Sequence, residues 1–388
     1  MLTTKSTLKH KFTDLNELFK YCEDEHHNVK YVGYQGDQLF FEDDNTLKSY
    51  GGTLPEDGCE FTESGLKALF TKMGVSGLYP TMSASTDRGC ASNYLNRLLA
   101  QPEIKANLTN QQFIIDTSNL QNPIIGMVSK QYNKYSNHQF LKGFLDINAT
   151  DNLNFERAMV DNTLLTVNWL DHEYTGIMID GKKDRSKLGL YSRNSMVGNS
   201  PLRLDASVFD TLCTNGMMIE RNIAASRLVH RGYDSMSYQL SDMTRNAKEG
   251  FELVRKQLEY TLAIPFNENS IEKMLLADAP LDIIKRPSDT RFYSSKRKFK
   301  EQSDKIRNLN DTLSFVMKIP QTFGGEHTHK VINSSYRNGN TSLYHFIGAF
   351  TEYAQEQNPV EQYRIEKEAG NLVNWIGTHD KVFDTVYN

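Results

Sequence analysis

Residues Lys285 to Arg307 hold nine basic side chains (Lys285, Arg286, Arg291, Lys296, Arg297, Lys298, Lys300, Lys305, Arg307) and three acidic ones, with Phe292, Tyr293 and Phe299 set among the cations. The stretch carries +6, which leaves −10 for the rest of a chain whose total is −4. Ammonium and guanidinium groups track phosphates while aromatic faces stack unpaired bases, so this composition suits sequence-tolerant binding of single-stranded nucleic acid. The contacts expected for phosphates are Lys296, Arg297, Lys298 and Lys300, with Tyr293 and Phe299 for stacking. The competing reading is a solvated connector, because blocks of like charge often serve only as that.

A second basic group, Arg221, Arg227, His230 and Arg231, follows Cys213-Thr214-Asn215-Gly216. If this segment is helical, Arg227, His230 and Arg231 lie within about 100° of one another and could grip phosphates. Cys213 and His230 are also the minimum for nucleophilic catalysis, provided a third group orients the base. Against that stands a strand end with Cys213 packed inside and an Asn-Gly turn leading into a helix, since cysteine is readily buried and Asn and Gly tolerate positive φ.

Glu326-His327-Thr328-His329 and His26-His27 bring imidazoles close together in sequence. A metal site needs three or four converging ligands in fixed geometry, and neither pair has visible completing residues. No metal and no cofactor is expected. The chain contains no G-x-x-x-x-G-K-[ST] loop, G-x-S-x-G elbow or H-E-x-x-H helix. A binding role is therefore favoured over an enzymatic one.

The 388 residues allow two or three modules, and 38% hydrophobic with 24% charged residues is a globular composition. Cys22, Cys59, Cys90 and Cys213 never form a C-x-x-C pair, so neither a disulfide framework nor a zinc knuckle is indicated. No stretch approaches the roughly 20 apolar residues of a membrane span, and the N-terminus lacks a signal-peptide core, so a soluble protein of the host-cell cytoplasm with no membrane partner is expected.

Lys30 to Gln35 and Gln38 to Glu42 flank Gly36-Asp37 and read as a hairpin. Leu66, Leu69, Phe70 and Met73 recur at helical spacing between Thr62 and Gly74, and Tyr94, Leu95, Leu98 and Leu99 share a face of a second helix over 92–100. Strands are expected at 113–116, 123–129, 164–170, 174–180, 188–193 and 202–208, joined as a meander. Leu202, Leu204 and Ala206 alternate with Arg203 and Asp205, the period of a half-buried strand. Helices are expected at 251–262, 271–276, 306–318, 342–356 and 360–375. The fold class is thus α/β of the α+β type, with a central, largely antiparallel sheet, N-terminal helices and a helical C-terminal third. The division expected is a head over 1–55, a β-rich core over 56–240 and a helical region over 241–388.

Four segments in order resemble the phage/plasmid-like family built on domain of unknown function nine-three-two. They are Phe61 to Val75 with Asn93 to Asn96; Gly126 to Asn137; Asn194-Ser195, Gly198, Leu202 to Leu204 and Cys213 to Met217 with Asn215-Gly216; and Ile347 to Tyr353. The resemblance covers about 60–370; the head and the loop Asp184 to Lys187 depart from it. It implies a gene of phages and plasmids and assigns no catalytic residue, leaving Asn194, Ser195, Gly198, Cys213, Asn215 and Gly216 as motif positions with a structural role. The order of helix, antiparallel strands and helix is also that of phage single-strand annealing recombinases. Single-stranded DNA binding or annealing, with homo-oligomerisation, is the leading expectation; the second is a module that inhibits or redirects a host defence factor.

Overall fold

Five successive strands build the largest of three sheets among the described residues. In the computed structural model, which describes residues 4–5, 10–34, 38–43, 46–84, 88–118, 120–148, 153–161, 163–175, 186–198, 200–210, 215–219, 226–228, 236–277, 279–280, 342–354 and 359–383, these are β9 (Leu153–Val160), β10 (Leu165–Thr175), β11 (Ser186–Asn194), β12 (Leu202–Asp210) and β13 (Asn215–Ile219). They pair antiparallel in sequence order, the expected meander, with β2 (His10–Phe12) added beside β9 and β14 (Ser226–Leu228) beside β12. β10 continues the strand expected at 164–170 through an irregularity between Leu170 and Thr175 into the start of the one expected at 174–180, whose residues 176–180 lie outside the described residues.

One face of this sheet carries Leu165, Val167, Trp169, Leu188, Leu190, Leu202, Leu204 and Ala206, all buried in one apolar cluster. Helix α6 (Asn137–Asn148) packs on this face, the Phe144 ring 4.6 Å from Trp169. Trp169 donates its Nε1–H to Ser192 Oγ at 2.9 Å, so the one polar atom of the largest core side chain is satisfied. The same cluster takes in α1 (Leu15–Asn28), α7 (Met236–Glu249), α8 (Phe251–Ala263), α9 (Glu268–Leu276), and the C-terminal pair α10 (Leu343–Ala354) and α11 (Pro359–Thr378). Helix α1 starts where Asp14 accepts from the Asn16 and Glu17 amides at 2.7 and 3.0 Å.

The second sheet is mixed, in the order β1 (Thr4–Lys5), β6 (Phe61–Thr62), β8 (Ile124–Ser129), β7 (Gln111–Asp116) and β3 (Val29–Gly33). Its core combines Phe61, Phe113, Ile115 and Ile124 with residues of α2 (Glu63–Lys72), α4 (Arg88–Leu99) and α5 (Pro102–Thr109); α3 (Tyr79–Ala84) follows α2. The α+β class is the one expected.

Several local readings change. β4 (Gln38–Phe41) pairs with β5 (Leu47–Tyr50), while β3 pairs with β7, so the runs flanking Gly36-Asp37 are not partners. Asn96 explains part of this preference: its side chain accepts from the Phe41 amide at 2.6 Å and donates to the Phe41 carbonyl at 2.9 Å, completing the free side of β4. Tyr94 is 40% exposed and leaves the buried face to Leu95, Leu98 and Leu99. Asn215 and Gly216 lie within β13 and Arg227 within β14; the Asn-Gly turn and the helix expected there are replaced by strands, because both segments find a pairing edge on β12. Helices α1 and α6 and strand β9 went unread in the sequence. The helix expected at 306–318 lies outside the described residues.

Candidate functional site

Strand alternation sends every second side chain of the larger sheet away from the apolar cluster. Most of those side chains are polar: Arg157 on β9, Thr166 and Asn168 on β10, Tyr191 and Arg193 on β11, and Arg203, Asp205 and Ser207 on β12, with Met159 and Leu170 among them. The register places Arg157, Asn168, Tyr191 and Asp205 in one cross-strand row and Thr166, Arg193 and Arg203 in the next; the row continues through the backbone pairing of Arg203 with Arg227. This second face is far less solvated than a half-buried strand implies. Asp205 and Ser207 are fully buried, Tyr191 and Arg193 are buried, and Arg203 keeps partial contact with solvent.

Directly opposed side chains stand about 5 Å apart at Cβ and repel when alike in charge. Arg193 and Arg203 form such a pair. Arg157 has its own counterion, Glu366 of α11, at 3.3 Å, and Glu366 is fully buried and also accepts from Gln362 Nε2. Asp205 lies on the same face, two residues from Arg203 on β12 and diagonal to Arg193 on β11. Strand sequence alone signals this group, since Arg-Leu-Asp and Tyr-Ser-Arg put polar residues at every second position, but it does not tell a buried face from a wet one.

The motif residues Asn194, Ser195 and Gly198 occupy another place, the clasp between the two sheets. Asn194 Nδ2 donates to Asn137 Oδ1 at 3.0 Å and to the Tyr135 carbonyl at 3.2 Å. Ser195 Oγ donates to the Thr163 carbonyl at 2.7 Å, and its own carbonyl accepts from the Tyr132 hydroxyl at 2.8 Å. Tyr31 of β3 donates to the Met196 carbonyl at 3.1 Å. Val197 then enters a small third core with Ile114, Ile125 and Val128 of the second sheet. Gly198 turns the chain at φ 74°. A Cβ at Gly126 would meet that of Val197 at 2.7 Å, so the clasp needs glycine beneath it. Asn194→Ala is expected to lower stability by about 2 kcal/mol in urea denaturation, because it strips a buried amide of its partner.

Asn137 also donates to Glu25 Oε2 at 2.8 Å, which extends the clasp network into α1. Burial pushes the Glu25 carboxyl up to about 8, against the lowering effect of the Asn137 bond; the charges of Asp116 and Asp161 add to the rise. Burial and the neighbouring His138 and His27 hold His26 below the ordinary histidine value. Burial likewise pushes the Cys22 thiol up, and that of Cys59 up to about 12, so neither supplies a thiolate at neutral pH. Among the described residues, no group of three or more His, Cys, Asp or Glu side chains is arranged to hold a metal ion.

Of the phosphate contacts expected from the sequence, Arg227 is brought into register with two further arginines that sequence reading did not single out. His230, Arg231, Cys213, Tyr293, Lys296, Arg297, Lys298, Phe299 and Lys300 lie outside the described residues, as do Glu326 to His329. Among the described residues no helix is long and apolar enough to cross a membrane. A family model described as a domain of unknown function, DUF932, matches residues 124–373. No curated protein and no solved structure matches the chain.

Proposed function

This chain belongs to the DUF932 family, and on that premise we propose that it is a non-enzymatic nucleic-acid-binding protein that binds or anneals single-stranded DNA in the DNA metabolism of mobile elements. The observation that carries the reading is the register of Arg193, Arg203 and Arg227 across three adjacent strands. Adjacent strands lie about 4.8 Å apart, which sets these three arginine positions at the close spacing that suits binding of a phosphate chain. Exposure rises from buried Arg193 to partly exposed Arg203, toward the edge where β14 pairs. The basic and aromatic stretch from Lys285 to Arg307 supplies a second set of cations and stacking rings in the same chain.

Fluorescence anisotropy with labelled single- and double-stranded oligonucleotides across a salt series tests this. Affinity for single strands should fall linearly in log–log form with salt, by a slope set by the number of phosphates neutralised. The triple substitution Lys296→Glu, Arg297→Glu and Lys298→Glu is expected to reduce affinity by at least two orders of magnitude, reversing three charges that each add to that slope. Absence of binding at low salt for the parent chain would leave the second reading, a module that engages a host protein; the −10 carried by the remainder of the chain favours it. Nuclease-treated pull-down returning one stoichiometric protein would be its signature.

A further inference from the structure

We infer that Tyr50, held against Phe40 on the outer face of the β4–β5 hairpin, is a stacking platform for an unpaired base of a single-stranded nucleic acid. The inference rests on the proposed function and deepens it by naming a contact to a base rather than to a phosphate. The inner face of the hairpin sends Leu39, Phe41 and Leu47 into the core of the second sheet. Strand alternation turns Phe40, Lys48 and Tyr50 the other way, since Phe40 pairs directly with Lys48 and Tyr50 follows two residues later. The two rings are stacked, with centroids 4.5 Å apart and planes 19° apart. Phe40 is partly buried, whereas Tyr50 is 64% exposed, more than any other Phe, Tyr or Trp among the described residues. With one ring face against Phe40, an exposure this large leaves the opposite face to solvent. A Cβ on Gly52 would meet nothing within 4 Å, so the chain just past Tyr50 runs through open space.

The size and charge of the patch select its occupant. A stable protein–protein contact takes about 800 Å² from each partner, and one aromatic side chain offers about 150–250 Å². Two rings, one of them partly buried, fall far short of that area. Beside them Lys48 Nζ pairs with Glu42 Oε1 at 3.1 Å, which adds no apolar surface and leaves no net charge there for a phosphate. A flat, uncharged, ring-sized surface matches the π-face of a single base, which stacks whatever its identity. Stacking on Phe40 also fixes the tyrosine side chain beforehand, so little rotamer entropy is lost when a base arrives.

Tyr50→Ala, Tyr50→Leu and Tyr50→Trp in the full chain test this, with labelled oligothymidylate and an abasic oligonucleotide of equal length as probes. Loss of the ring in the alanine and leucine variants should weaken oligothymidylate binding about tenfold, while tryptophan retains or tightens it. The slope of log affinity against log salt should stay that of the parent, because no phosphate contact is lost. The abasic strand should bind parent and variants alike. A cross-strand ring pair also supports a hairpin, so melting temperatures are recorded alongside, and leucine keeps an apolar contact with Phe40 where alanine does not. Lower melting with unchanged affinity for oligothymidylate would make Tyr50 a hairpin-stabilising residue only and overturn the inference, as would an equal loss of affinity for both probes. In the first of these outcomes the parent still binds, and the proposed function stands without this contact; a parent chain that binds neither strand at low salt removes both.

Discussion

Replacing Glu25 by glutamine is expected to stabilise the protein, with the largest gain above pH 8. Burial raises this carboxyl from 4.5 to about 8. The folded state therefore binds a proton that the unfolded chain releases between those values, so stability is highest below the unfolded pKa and is lost as pH climbs through the folded one. At 1.36 kcal/mol per unit the full difference is about 5 kcal/mol. Glu25 keeps part of its surface in contact with solvent, and screening there brings the expected gain to about 2 to 3 kcal/mol. Glutamine keeps the shape and the oxygen that accepts from Asn137 while removing the charge that faces Asp116 and Asp161. Urea denaturation at pH 5, 7 and 9 checks this: the parent should lose stability across the series and the variant should lose much less. Parallel profiles would show that the carboxyl is ionised in the folded state throughout.

Gly65→Ala should have the opposite sign and a comparable size. Alanine ordinarily strengthens a helix by about 1 kcal/mol over glycine. At Gly65 the added Cβ would overlap the Ile124 carbonyl, a backbone group fixed in β8 and already accepting from the Thr62 hydroxyl. Ser64 Oγ binds the next carbonyl, that of Ile125, at 2.9 Å, so α2 has no room to slide. Overpacking against rigid backbone costs about 3 kcal/mol and outweighs the propensity gain. Denaturation curves should show a net loss of about 2 kcal/mol with unchanged m-value; a net gain would mean that α2 shifts freely on β8.

Some of this architecture is legible in residue order because it depends on neighbours in sequence. Helix α2 follows from Thr62 as its cap, an apolar spacing of three and four, and Gly74 at φ 79°. Helix α8 ends before Pro265, and the meander from β10 to β12 follows from alternation in short runs. The α+β class and the family rest on the same local patterns. The carrying residues of β12, Leu202, Leu204 and Ala206, could be assigned to a core before any partner was known.

Tertiary structure decided what those patterns leave open. The alternation of Leu with Arg and Asp on β12 fixes two faces but not whether the polar one meets water, and in the fold Asp205 is fully buried. Glu25 lies on α1 among residues whose surface-like composition gives no hint of a raised carboxyl; Asn137, 112 positions later, and the nearby Asp116 and Asp161 create that environment. Lys30 to Gln35 and Gln38 to Glu42 both have strand composition, yet pairing energy is a property of two strands together, and β7 and β5 offer each a better partner. Arg227 drew attention through its charge alone. Its alignment with Arg203 and Arg193 exists only because β14 pairs with β12, a long-range choice of register that no local propensity encodes.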